Sequence, residues 1–202
     1  LVRSPCREDL YVKGFIGDTA EEVWNLCNEK LHQDSMSVRN IIRQSNVTLI
    51  CTTDDPADTL EWHEKIAADE TFDVQVLPAW RPDKAMNVEK SDFASYIAGL
   101  SKASGVEIRD FASLKEALKV RMDYFAAHGC CVSDHALEYV MYVPADEAET
   151  EAVMAKGLSG QPVTREEELK YKTAFMLFVA REYNRRNWTM QIHYGCKRDN
   201  NA

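Results

Sequence analysis

Residues 46–56, NVTLICTTDDP, decide the fold that we expect for this chain. The stretch is a short run of apolar and β-branched residues that ends abruptly in two aspartates and a proline. Such a run between polar flanks is typical of a buried strand in a parallel sheet. Because Pro56 suits the first position of a helix, with Asp55 as its cap, we predict a helix from Pro56 through Ala67.

The same alternation of strand and helix repeats along the rest of the chain. Further strands are predicted at residues 72–80, 130–133 and 188–193, and helices at 19–31, 37–44, 92–100, 113–128, 146–156 and 164–186. Four strands separated by helices indicate a parallel sheet with right-handed crossover connections. A doubly wound sheet and a segment of a (β/α)8 barrel both satisfy this pattern.

Composition argues against several classes of function. The chain has 202 residues, a net charge of -9 and no Lys/Arg-rich run, so we expect no nucleic-acid partner. No stretch approaches the roughly 18 uninterrupted apolar residues of a membrane span, and no apolar signal segment opens the chain, so we expect a cytoplasmic protein without a membrane partner.

The six cysteines form no C-x-x-C pair, and we expect them to be reduced. The chain begins with Leu1 rather than Met, which favours a piece of a longer protein.

Polar residues gather where each of the four predicted strands ends. They are Thr52-Thr53-Asp54-Asp55, Trp80-Arg81-Pro82-Asp83, Ser133-Asp134-His135 and His193-Tyr194-Gly195. In both candidate architectures the active site lies at the carboxyl ends of the strands, because the loops converge there. We therefore expect a functional site at this edge of the sheet.

Individual side chains in this set allow more than one interpretation. Arg81 is placed to bind a carboxylate in bidentate fashion, and the alternative is an ion pair with Asp83. Asp134 and His135 are adjacent, so on an extended strand one should face the site and the other should be structural. His193 is a candidate metal ligand, a candidate acid or base, and equally a candidate hydrogen-bonded core residue.

Several common catalytic and metal-binding motifs are absent from the sequence. The chain has no P-loop, no G-x-G-x-x-G and no G-x-S-x-G, which argues against nucleotide binding and α/β-hydrolase chemistry. It also has no H-x-H and no H-E-x-x-H, so it cannot complete a His-rich metal site by itself. We expect His32, His63 and His128, which lie on predicted helices or at their ends, to be solvated.

Four blocks of the sequence resemble the uronate (glucuronate) isomerase family. They are CTTDDP (51–56), LPAWRPDKA (77–85), GCCVSDHAL (129–137) and MQIHYGCKRDNN (190–201), which occur in that family in the same order and with similar spacing. The segments VRNII (38–42) and LSGQPVTREE (158–167) are also similar to it. The family belongs to the amidohydrolase superfamily. It interconverts alduronic and ketouronic acids, such as D-glucuronate with D-fructuronate and D-galacturonate with D-tagaturonate, by proton transfer between C2 and C1.

For the fold, the resemblance implies an α/β structure that is a partial (β/α)8 TIM barrel, with about strands two to five and additional helices. Residues 1–45 would form an N-terminal segment whose helices pack on the barrel. Residues 46–202 would form the incomplete barrel segment.

For the site, the resemblance implies catalytic roles for Asp134 and His193 and substrate-binding roles for Arg81 and Arg198. The family's H-x-H metal pair and T-D-S-R motif do not occur in this sequence. A divalent metal such as zinc in the full-length enzyme would therefore take most of its ligands from outside this chain, with His193 as one candidate ligand.

These observations together predict an internal fragment of an aldose–ketose isomerase, an intramolecular oxidoreductase that acts on a small uronic acid. We expect the fragment to be inactive on its own, and a homo-oligomer is one possible state of the enzyme. Two alternatives stay open at this point. One is a metal-dependent hydrolase of the same superfamily, and the other is a non-catalytic α/β module.

Overall fold

The computed structural model describes residues 19–195. Its helices are α1 (Ala20–Leu31), α2 (Val38–Gln44), α3 (Glu61–Ala67), α4 (Asp83–Met86), α5 (Phe93–Ser104), α6 (Phe111–Ala127), α7 (Glu147–Ser159) and α8 (Arg165–Arg186), with a 3-10 turn at Asp34–Met36. Its strands are β1 (Leu49–Cys51), β2 (Gln75–Leu77), β3 (Val132–Leu137) and β4 (Thr189–Tyr194). The predicted alternation of strands and helices is confirmed.

The chain divides into two compact units. One contains residues 19–50 together with 66–76, and the other contains residues 51–65 together with 77–195. The boundary that we predicted at residue 45 stays a prediction.

In the second unit, the segments that follow β1 and β2 pair in parallel with β3 and β4, in the order of the chain. Asp54, beyond β1, forms a parallel bridge with Trp80, beyond β2, and Trp80 forms a second parallel bridge with Ser133 of β3. β3 and β4 then pair in parallel along the full length of both strands. The order is therefore sequential without reversal, and the strands within residues 19–195 form no closed barrel.

The second unit has its core between this sheet and the helices. Trp80 is 0% exposed and meets Phe125 of α6 edge-on, with ring centroids 5.0 Å apart. Leu114, Leu118 and Met122 on α6 are fully buried along with Phe125 and form the apolar face of this helix. Burial of these large apolar side chains is the main stabilising contribution to this unit.

The first unit buries less of its apolar surface than the sequence predicts. On α1, Val23 is buried but Trp24 is 69% exposed. Leu49 of β1 is 46% exposed, which contradicts the predicted burial of that strand. Polar contacts contribute instead, such as the 2.6 Å ion pair between Arg39 and Asp69.

The helix predicted to begin at Pro56 begins only at Glu61. Asp55 accepts a hydrogen bond from the backbone N–H two residues later, and Asp58 does the same, at 2.9 and 2.7 Å. Such side-chain turns compete with helical hydrogen bonding. Leu60 follows them with a φ of 55°, so the segment between Asp55 and Leu60 is a loop.

The helix caps are partly as predicted. The predicted start of α8 at Thr164 is confirmed, and Thr164 and Glu167 form a reciprocal capping box there. The predicted start of α6 at Ser113 was wrong, because Asp110 accepts a hydrogen bond from the Ser113 backbone N–H at 2.7 Å and caps the helix three residues earlier. Asp and Ser are comparable N-caps, and here Ser113 serves as the N3 partner in the reciprocal capping box of Asp110. Within residues 19–195, no helix is both long and apolar enough to span a membrane.

Candidate active site

Asp134 and His193 lie on one face of the β3–β4 pair. In the parallel register, Asp134 is beside Gln191 and Ala136 is beside His193, so the two side chains are diagonal neighbours. Oδ1 of Asp134 lies 2.9 Å from Nε2 of His193. We predicted that β3 would end before Asp134, which was wrong: the strand continues to Leu137, and this extension places the carboxylate alongside β4.

Arg81 lies between two carboxylates. It follows Trp80, the residue that bridges the neighbouring strands, and its Nε donates a hydrogen bond to Oδ2 of Asp83 at 3.0 Å. Its Nη1 lies 3.3 Å from Oδ2 of Asp134. The ion pair with Asp83, which the sequence offered as an alternative, is therefore present together with a second one. Nη2 forms no hydrogen bond with any residue between 19 and 195.

His135 contacts a different set of residues from its neighbour Asp134. It is 0% exposed, and its Nε2 lies 3.1 Å from the hydroxyl of Tyr183 on α8. Its Nδ1 lies 3.3 Å from Oδ1 of Asp83. The adjacent pair thus divides as predicted, with Asp134 among the groove residues and His135 in the core. Sequence reasoning missed Tyr183, whose only signal is its position on a long amphipathic helix.

Asp83 connects the two sets of contacts. Burial by itself raises the pKa of this carboxyl, but the contacts from His135 and Arg81 outweigh burial and hold the pKa below its usual value. The backbone N–H of Ala136 donates a further hydrogen bond to Oδ2 of Asp83 at 3.0 Å. Asp83 is therefore ionised near neutral pH, and it fastens the segment after β2 to β3.

An open groove of about 500 Å³ lies over the Asp134–His193 pair. Its lining consists of Arg81, Asp134, Ala136, Leu137, Ile192, His193 and Tyr194. The His193 side chain is 57% exposed and the Asp134 side chain 12% exposed, so a bound molecule reaches the imidazole while the carboxylate stays behind it. Oδ1 of Asp134 forms no aligned hydrogen bond among residues 19–195, and Nε2 of His193 also lies 2.6 Å from Nε2 of Gln191, so the pair is a close charge contact. An imidazole beside a carboxylate is suited to accept and return a proton.

The end of β1 carries a polar cluster in which the sequence singled out Thr52 and Asp54 but not His63. The hydroxyl of Thr52 donates a hydrogen bond to Oδ2 of Asp54 at 2.6 Å and lies 2.8 Å from Nε2 of His63. The His63 side chain is only 11% exposed, so the prediction that it is solvated was wrong. Oδ2 of Asp54 also accepts a hydrogen bond from the backbone of Ala79 at 3.1 Å, which ties the ends of two strands together.

The described residues do not form a complete metal site. Asp134 and His193 are two potential ligands that lie together, but residues 19–195 contain no group of three or more His, Cys, Asp or Glu side chains that could hold a metal ion. Arg198, which we predicted to bind substrate, lies outside the described residues. A zinc ion whose ligands come mostly from elsewhere stays a prediction.

Sequential parallel strands with a carboxylate–imidazole pair in a groove at their carboxyl ends define an α/β protein with a candidate active site. The sequence model described as glucuronate isomerase matches residues 11–202, and the chain belongs to this family. The predicted resemblance is thereby confirmed.

Two curated relatives show how much of a whole protein this chain represents. It is 68% identical over 185 residues to a uronate isomerase of Lachnospira eligens, and 64% identical over 184 residues to one of Lachnoclostridium phytofermentans. The matches cover 92% and 91% of this chain but 40% of each relative. The chain thus spans about 40% of the length of these relatives.

Solved structures of the same family have the same fold over this region. The crystal structure of uronate isomerase from Thermotoga maritima matches with a TM-score of 0.85 at 35% identity, over 97% of this chain and 43% of that chain. Glucuronate isomerase from Caulobacter crescentus matches with a TM-score of 0.85 at 22% identity, over 97% of this chain and 40% of that chain, which supports the fold alone. The fold prediction is confirmed as far as an α/β segment that matches part of a uronate isomerase.

Proposed function

We propose that this chain supplies part of the active site of an aldose–ketose isomerase that interconverts alduronic and ketouronic acids. D-Glucuronate with D-fructuronate and D-galacturonate with D-tagaturonate are the substrate pairs in question. The observation that carries the proposal is the Asp134–His193 pair at the strand ends of a chain from the glucuronate isomerase family. The enzyme is cytoplasmic in this proposal, and its state of oligomerisation is left open.

We also propose that the four described strands correspond to about strands two to five of a (β/α)8 barrel. Supporting this, their order follows the chain without the reversal that creates the switch point of a doubly wound sheet. A barrel also places its active site at the carboxyl ends of the strands, where the groove lies.

The chemistry requires a group that can carry a proton between two neighbouring carbons. Removing the proton from C2 of the open-chain aldose gives an enediol, and returning a proton to C1 gives the ketose, while the hydroxyl proton passes from O2 to O1. His193 is the exposed member of the pair and carries the proton in this proposal. Asp134, behind it, orients the imidazole and stabilises its protonated form.

Substrate binding is divided between two arginines. Nε of Arg81 contacts Asp83 and Nη1 contacts Asp134, so Nη2 is the nitrogen that contacts substrate in this proposal. Arg198 is then the better candidate to bind the uronate carboxylate in bidentate fashion. None of these steps is assigned to a metal ion, because the described residues do not complete a site for one.

Conversion of glucuronate to fructuronate by the intact isomerase tests the proposal, with residues 1–202 alone assayed alongside. We expect the intact enzyme to be active and the fragment to be inactive. We expect Asp134→Asn and His193→Gln to lower kcat by about 100-fold or more, the usual contribution of a positioned acid or base. Exchange of the C2 hydrogen in D2O should slow in the same proportion.

His128→Gln is the matched control for His193→Gln. His128 lies at the end of α6 and contacts Glu64, away from the groove. We expect it to retain wild-type kcat. Retention of kcat within threefold in folded His193→Gln enzyme would refute the proton-transfer role, and a fully active fragment would refute the proposal that further segments are essential.

A further inference from the structure

A chain of polar contacts runs from the buried face of α8 to the groove. The hydroxyl of Tyr183 lies 3.1 Å from Nε2 of His135, and Nδ1 of His135 lies 3.3 Å from Oδ1 of Asp83. Oδ2 of Asp83 accepts a hydrogen bond from Arg81, and Arg81 in turn contacts Asp134. The described structure thus connects a fully buried histidine to the carboxylate of the proposed proton-transfer pair through two side chains.

The inner part of this chain is costly to bury. His135 is 0% exposed and Tyr183 is 1% exposed, so neither polar group is hydrated. The contact between His135 and Asp83 is long and poorly aligned, and neither of the two facing atoms has a hydrogen bond among residues 19–195. An apolar pair of similar shape would avoid this loss of hydration. The arrangement therefore calls for a role beyond packing.

Asp83 is the residue on which His135 acts. Its Oδ2 accepts hydrogen bonds from the side chain of Arg81 and from the backbone of Ala136, while its Oδ1 faces His135. Ala136 is paired with His193 in the β3–β4 register. A rotation of the Asp83 carboxylate would therefore disturb both the guanidinium beside Asp134 and the strand that faces His193.

We propose that His135 is a positioning residue for this site. The 3.3 Å contact of its Nδ1 with Oδ1 restrains the rotation of Asp83, which holds Arg81 against Asp134 and so keeps that carboxylate directed at His193. This inference rests on the proposed isomerase function and adds to it a residue that does not touch substrate. Supporting residues of this kind keep reacting groups within the narrow limits that catalysis requires.

Two substitutions of His135 separate positioning from packing. The amide nitrogen of Asn takes the place of Nδ1, so His135→Asn keeps a donor toward Asp83. That of Gln takes the place of Nε2, so His135→Gln keeps the polar contact with Tyr183 and loses the nitrogen that faces Asp83. In the intact isomerase we expect His135→Gln to lower kcat by about 10- to 100-fold, as misplacement by about an ångström does. We expect His135→Asn to stay within about threefold of wild type, since the donor to Asp83 remains.

Asp83→Asn tests the same contact from the side of the groove, where the side chain is 16% exposed and the substitution disturbs the core least. We expect a loss of kcat similar to that of His135→Gln, and no further loss in the double variant, because both act on one geometry. This variant decides the matter if neither His135 variant folds. All rates are referred to the folded fraction, measured by circular dichroism.

The outcomes are distinguishable from failure of the proposed function. If the wild-type enzyme does not convert uronates, the isomerase proposal fails. If the wild type is active and both His135 variants lose kcat equally, or Asp83→Asn retains it, the positioning role is refuted and His135 serves packing alone.

Discussion

The packing of α7 against the segment before α5 depends on a glycine. A Cβ atom at Gly157 would lie 2.5 Å from Cγ2 of Val88 and 3.0 Å from both the Val88 carbonyl oxygen and Cδ1 of Phe93. Val88 and Phe93 are each 1% exposed, so neither can move away without disturbing other buried side chains. Gly157→Ala should therefore lower the stability of the protein.

Two opposing terms set the size of this effect. Alanine is favoured over glycine in a helix interior by about 1 kcal/mol. Overpacking a filled core costs about 1–3 kcal/mol, and a clash with a stiff β-branched side chain and a backbone oxygen belongs at the upper end. We expect a net loss of about 1–2 kcal/mol, which lowers Tm by roughly 2–8 °C in a protein of this size.

Gly99 in α5 provides the matched control. It is also inside a helix, but a Cβ there would meet nothing within 4 Å. Gly99→Ala should therefore raise the free energy of unfolding by about 0.5–1 kcal/mol through helix propensity alone. Urea unfolding followed by circular dichroism measures both variants against wild type. A Gly157→Ala protein as stable as wild type would refute the packing that we describe, and a destabilised Gly99→Ala protein would refute the helix term.

Two further changes test the electrostatics and the loop after β1. The pKa of Asp83 is depressed from 3.8, so its ionised form stabilises the fold above that pH and the contribution is lost as pH falls through the lower, folded-state pKa. Urea titrations should therefore show Asp83→Asn less stable than wild type at pH 6, with the difference shrinking below about pH 4, whereas a pH-independent difference would contradict this. Arg121 is 7% exposed and donates to three backbone carbonyls, those of Pro56, Asp58 and Ala103, at 2.7, 2.6 and 3.3 Å. Arg121→Met should cost about 2–4 kcal/mol and make the loop more sensitive to limited proteolysis, and unchanged proteolysis would show that the loop does not depend on these bonds.

Much of the fold was predictable because its signals are local. The capping box at Thr164 and the alternation of short apolar runs with helical periodicity depend on residues a few positions apart. Errors arose where local interactions compete. Asp55 and Asp58 accept hydrogen bonds from nearby backbone N–H groups and so stabilise a loop around Pro56. Asp110, rather than Ser113, is the N-cap of α6.

The site was predictable only in outline. Strand ends identified Arg81, Asp134 and His193 because parallel strands bring their carboxyl ends to one edge. The contact between His135 and Tyr183 joins residues 48 positions apart. No periodic pattern in a sequence predicts which residue of a helix will contact a given residue of a strand. For the same reason the sequence could not show that Arg81 contacts two carboxylates at once.

The pairing of Arg81 with both Asp83 and Asp134 bears on how substrate range could be engineered. One guanidinium facing two carboxylates leaves the Asp134–His193 pair without surplus positive charge. Under the proposed function, attraction of an anionic sugar then depends on cations elsewhere, Arg198 being our candidate. The proposed function therefore places catalysis and selectivity on different parts of the polypeptide. Substrate range could then be redesigned by exchanging the segments that supply those cations, while the Asp134–His193 pair and its supports are left unchanged.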